Sequence, residues 1–146
     1  MTARVDFFRV TGEGETATLQ AACMVAGKAY GSGYRVRVYA ASEGLLADLD
    51  TRLWTYRAGS FVPHARRERL DPDVPEAVVL SGECLEPEGA HVLVCASPPP
   101  EDCLSGFQRI AEFVPVDPEG REAARHRYSR YRQAGYELYT HDLRVN

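Results

Sequence analysis

Apolar, strand-like runs alternate with stretches of helical spacing along nearly the whole chain, and no other feature restricts the fold as much. Arg4 to Val10 is a short apolar run suited to a buried strand, and a glycine-rich turn at Gly12 and Gly14 follows it. Leu19, Cys23, Ala26 and Tyr30 then recur at helical spacing, with Gly31-Ser-Gly33 as the stop signal. Arg35 to Tyr39 alternates as a strand. Ser42 is placed to cap a second helix whose Leu45, Leu46, Leu49 and Leu53 face the sheet. After Trp54 the pattern gives way to irregular chain through His64 and an Arg/Pro/Asp-rich loop. Strands are expected again at Ala77 to Leu80 and His91 to Ala96, the latter broken off by Ser97-Pro-Pro-Pro100. Cys103 to Ile110 reads as a short helix, Ala111 to Val116 as a last core strand, and Glu119 to Ala134 as a final helix closed by Gly135. Strands and helices alternating at these intervals imply βαβ units, hence a mostly parallel sheet with helices on both faces. The expected fold is a single-domain, three-layer α/β/α Rossmann-like (mononucleotide-binding-like) domain spanning 1–146, since there is no internal repeat and no domain-sized linker.

A chain of 146 residues can bury a self-sufficient core. Hydrophobic and charged contents of 45% and 26% are those of an ordinary globular protein. No run approaches the roughly 20 apolar residues of a membrane span, and the first residues lack the charged-then-apolar order of a signal peptide, so a cytoplasmic location is expected. Cys23, Cys84, Cys95 and Cys103 show no ligand spacing and are expected as buried free thiols, with no metal. Charge is the uneven quantity. The net charge is −4, yet residues 121 to 132 hold five arginines and one glutamate, while Glu68 to Asp102 holds nine acidic residues and one arginine. Such a chain is poorly suited to gripping duplex DNA, but a local basic patch can capture a short acidic peptide.

Catalytic signatures are scarce. Gly12-Glu-Gly14-Glu-Thr-Ala17 is formally a G-x-G-x-x-A turn, but Glu13 and Glu15 would set two carboxylates beside any bound phosphate. A nucleotide-binding enzyme using this turn therefore stands only as an alternative. No P-loop, G-x-S-x-G or H-E-x-x-H is present, and the four histidines share no spacing. No cofactor is expected. Two other segments have the character of protein contacts. Trp54, Tyr56, Phe61 and Pro63 gather in irregular chain, either folding back over the sheet or forming the apolar centre of an interface. On the last helix Ala124, Tyr128 and Tyr131 are spaced to face the domain, with Arg125, Ser129 and Arg132 as an adjoining row. This is either a solvated arginine face with snorkelling tyrosines or a pocket for an apolar side chain plus a carboxylate. Direct binding of single-stranded DNA by the same arginines and tyrosines is a further alternative.

Taken together, Arg52-Leu-Trp54, Ser60-Phe-Val-Pro-His64, Glu112-Phe-Val-Pro115 and Ala124-Arg-His-Arg-Tyr-Ser-Arg-Tyr-Arg132 with Ala134-Gly-Tyr136 resemble the chi subunit family of bacterial DNA polymerase III. The resemblance runs nearly the length of the chain and is weakest in the acidic middle. It implies a non-catalytic accessory subunit with a Rossmann-like fold that binds no nucleotide, and two protein contacts. One is with the psi subunit of the clamp-loader assembly, which maps onto Trp54, Phe61, Val62, Pro63 and His64. The other is with the acidic C-terminal tail of single-stranded DNA-binding protein, whose final Pro-Phe carboxylate docks at Val114, Arg125 and Tyr128. Ser129 departs from the lysine often found there, leaving Arg130 or Arg132 to supply the missing cation.

Overall fold

Seven strands lie side by side in one sheet in the computed structural model, which describes residues 3–12, 16–55, 63–67, 78–84, 87 and 89–145. The strands are β1 (Arg4–Thr11), β2 (Val36–Tyr39), β3 (His64–Arg66), β4 (Val78–Ser81), β5 (Val92–Cys95), β6 (Arg109–Val114) and β7 (Glu137–Arg144). The helices are α1 (Ala17–Gly31), α2 (Glu43–Thr55) and α3 (Pro118–Gln133), with a 3-10 turn at Glu101–Leu104. The strand order is β3-β4-β2-β5-β6-β1-β7, and every pairing is parallel. The expected Rossmann-like α/β architecture is the one observed.

The central strand β5 is apolar on both sides because both sides are covered. Along β5, Val92 and Val94 join the core under α1 and α2, whereas Leu93 and Cys95 join the core under α3 and the 3-10 turn. Helix α2 starts where Ser42 Oγ accepts a hydrogen bond from Leu45 N at 3.3 Å, and it buries Leu46, Leu49 and Leu53 while Leu45 stays partly exposed. Gly12 has a structural reason of its own. A Cβ there would lie 2.5 Å from the Val145 carbonyl oxygen, so the turn after β1 lacks a side chain to admit the end of the chain. Val145 N donates to Thr11 O at 2.8 Å at the same point. Glu13, Gly14 and Glu15 lie outside the described residues.

Three local expectations are corrected, and one strand for which no expectation stood is added. His64–Arg66 is an edge strand within what read as irregular chain, held by its pairing to β4. Residues 103 to 110 are not a helix: only Glu101–Leu104 winds, as a 3-10 turn, and the chain is already in β6 by Arg109. Beyond Gly135 the chain forms β7, which pairs with β1 over eight residues. Cys84 and Cys103 form a disulfide, with Cα atoms 5.0 Å apart, instead of standing as free thiols. The fold brings the end of β4 against the 3-10 turn, a neighbourhood that sequence spacing does not encode. Cys23 and Cys95 are buried and free, as expected, and burial pushes the Cys23 thiol up to about 12 and that of Cys95 well above its ordinary value.

Asp6, only 1% exposed, knits the β7 side of the sheet together. Arg4, on the same strand, donates at 2.8 Å, Arg109 Nε on β6 at 3.0 Å, and His141 Nε2 on β7 lies at 2.7 Å. Burial disfavours the charged carboxylate, but the hydrogen bonds from Arg4, His141 and Arg109 outweigh it and hold Asp6 below the usual carboxylate range. Among the described residues, no helix is long and apolar enough to cross a membrane.

Candidate protein-docking site

Helix α3 begins at Asp117, whose side chain accepts from Gly120 N at 2.7 Å, with Pro118 at the first helical position. Gly120 lets this first turn sit on Pro115, since a Cβ there would lie 2.2 Å from the proline ring. The helix is thereby fixed directly after Val114, the last residue of β6, and ends before Gly135.

What seats α3 is polar. Glu112, on β6 and 1% exposed, accepts from Arg127 Nε at 2.6 Å and from the Tyr131 hydroxyl. Arg127 is buried, so the basic helix is not wholly a surface element. Burial, reinforced by the Glu112 carboxylate, pushes the Tyr131 phenol well above its ordinary pKa and keeps it a donor. Sequence reasoning put Tyr128 and Tyr131 inward and left Arg127 outside. The available signal was Glu112 itself, a lone carboxylate inside the apolar run Ile-Ala-Glu-Phe-Val, since a charge in a core strand needs a buried partner.

The outer side of α3 holds the remaining candidates. Tyr128 is half-buried, its ring centroid 5.4 Å from that of Phe7, and Val114 packs on the same apolar cluster. The structure thus brings Val114 and Tyr128 to one side of the sheet. Arg125 lies three residues before Tyr128, with its side chain 80% exposed and a 3.7 Å contact to Glu122. Arg121, Arg125, Tyr128, Ser129 and Arg132 follow one another at helical spacing along one stripe. Arg130 points elsewhere and is paired with Glu101 at 3.2 Å, whereas Arg132 is exposed with no ion pair among the described residues. One cation went unnoticed in the sequence. Arg9 pairs with Val114 in the β1–β6 register, on the same face as Phe7, and is 59% exposed beside Asp142 at 2.8 Å. Its place emerges only from the strand pairing.

This arrangement can hold a chain terminus. A half-buried tyrosine and a valine offer apolar contact, and a guanidinium beside them can take a carboxylate bidentately, with further arginines to attract acids upstream.

The second set of candidates is only partly described. Trp54, near the end of α2, is 56% exposed, and its ring centroid lies 5.1 Å from that of His64. His64 Nε2 is 3.0 Å from Asp50 Oδ1, and Pro63 is partly exposed. Phe61 and Val62 lie outside the described residues.

Comparison with known proteins follows this geometry. The sequence profile of the family described as DNA polymerase III chi subunit, HolC, matches residues 1–139. A DNA polymerase III subunit chi of Pseudomonas aeruginosa is 37% identical over 142 residues, covering 96% of each chain. One of Escherichia coli is 28% identical over 130 residues, covering 89% of this chain and 88% of that protein. Among solved structures, T4 UvsW aligns with a TM-score of 0.69 at 8% identity, over 98% of this chain and 41% of the UvsW chain. Domain 2 of the DEAD-box helicase Mss116p, solved bound to an RNA duplex, aligns with a TM-score of 0.61 at 12% identity, over 97% of this chain and 65% of that one. At such identities these two show a shared fold alone.

Proposed function

The chain belongs to the DNA polymerase III chi subunit family, and on that premise we propose that it is a non-catalytic adaptor linking the clamp loader, through a psi subunit, to the C-terminal tail of single-stranded DNA-binding protein during replication in the cytoplasm. The observation that carries this reading is the convergence of Val114 and Tyr128 on one apolar cluster beside an exposed Arg125. The terminal phenylalanine ring of the tail lies against Val114 and Tyr128, its carboxylate is gripped by Arg125, and the acids before it are attracted by Arg9, Arg121 and Arg132. Because Glu101 already holds Arg130, Arg132 is the better replacement for a lysine at Ser129. The psi contact centres on Trp54 and His64, with Phe61, Val62 and Pro63 continuing it.

A pull-down from cell extract with this chain as bait tests the whole reading. An acidic tail peptide ending in Pro-Phe, added as competitor, is expected to displace the single-strand-binding protein while the clamp-loader subunits stay bound. Retention of the single-strand-binding protein in the presence of excess peptide contradicts the α3 site. Loss of the clamp-loader subunits on adding Trp54→Ala to the bait is the matching result for the second surface.

A further inference from the structure

Cys84, exposed three residues beyond the end of β4, and Cys103, in the 3-10 turn and 4% exposed, come from opposite sides of β5 in the sequence, 19 residues apart, and are bonded to each other. Neither takes any part in the docking surfaces above. We propose that this pair is a reversible thiol–disulfide site, open to small thiols and to dithiol reductases through Cys84. Reduction starts with attack of an external thiolate on the exposed Cys84 sulfur. The S–S bond breaks, Cys103 departs as a thiolate and takes a proton, and a second thiol resolves the mixed disulfide, leaving Cys84 as a thiol and the reductant as its disulfide. Oxidation by glutathione disulfide runs the same exchange backwards.

Selectivity is built in, because the other two cysteines are buried with thiols held protonated, so they are poor nucleophiles. Asp102 brings a carboxylate oxygen within 4.8 Å of both sulfurs, a donor set that a soft divalent cation would also accept. A structural zinc site takes four protein donors, and only three gather here among the described residues. Closing the loop restricts the unfolded chain, so the oxidised protein is the more stable form.

The test is mass spectrometry of the full chain poised in glutathione buffers, quenched, labelled with maleimide in denaturant, and read both intact and after digestion. One Cys84–Cys103 crosslinked peptide is expected in the oxidised protein and four labels after reduction, with a fall in Tm of roughly 5–10 °C. Cys84→Ser should sit at the lower Tm in either buffer, while Cys95→Ser keeps the redox-dependent shift. Four labels in the oxidising buffer would overturn the proposal, as would a stoichiometric metal that Cys84→Ser releases.

Discussion

Among the described residues, each face of the sheet buries one carboxylate, and the two are held in different ways. Glu112, under α3, meets two groups from a single helix, Arg127 and the Tyr131 hydroxyl, both buried. Asp6, on the other face, meets two guanidinium groups and an imidazole from three strands, and those partners reach solvent: the side chains of Arg4, Arg109 and His141 are 33%, 45% and 38% exposed. The first arrangement fastens a helix that carries the candidate site; the second fastens the edge strand β7. Loss of the acid strands a buried charge in one case and a wettable charge in the other.

The largest expected effect follows from that asymmetry. Glu112→Ala leaves Arg127 buried and unpaired, which costs about 3–5 kcal/mol by the usual penalty for breaking a buried pair. Urea unfolding should show it, together with weakened tail binding as α3 loses its seat. Asp6→Ala should cost less, about 1–3 kcal/mol, since its partners can turn to water. A cost equal to that of Glu112→Ala would remove the distinction. The pH dependence has a definite sign: a carboxyl held low in the folded state contributes stability above its unfolded value and loses it as pH falls. Below roughly pH 4 the β7 side should therefore weaken as Asp6 takes up its proton, and Asp6→Asn should flatten that limb of the stability curve.

Smaller effects probe the surface alone. Arg125→Ala should leave stability within about 0.5 kcal/mol, because its side chain is 80% exposed, yet weaken tail binding roughly tenfold or more. Arg132→Ala should cost tail affinity more than Arg130→Ala, given the Glu101 pairing of the latter, and titrations at two salt concentrations separate the two. Ser129→Lys, adding a cation to the stripe beside Tyr128, should raise affinity by roughly twofold to fivefold, an effect that fades with salt.

The elements legible in the sequence were those whose apolar residues repeat with the period of their own structure, such as α1, α2 and the doubly buried β5. Edge strands escaped for a physical reason. Strand β7 is buried at no residue and carries Glu137, Asp142 and Arg144, so it resembles a polar tail until β1 supplies its partner. Strand β3 is three residues long and is held by its pairing to β4 and by contacts of His64 and Arg66 with α2, none of which is local in sequence. Within the candidate site, the positions of Tyr128 and Arg125 on α3 were readable from helical spacing, whereas the places of Arg9 and Arg127 were not. Arg9 comes to lie beside Val114 through strand register and Arg127 leaves the surface through a contact 15 residues away, and neither relation has a local signature.

The central claim is that α3 reads a chain terminus, not merely acidic charge. Titrating the protein with the acidic tail peptide as a free acid, and with the same peptide amidated at its C-terminus, separates the two. The free acid is expected to bind roughly tenfold tighter or more, with Arg125→Ala erasing the preference. Equal affinity of the unaltered protein for both peptides would contradict the account.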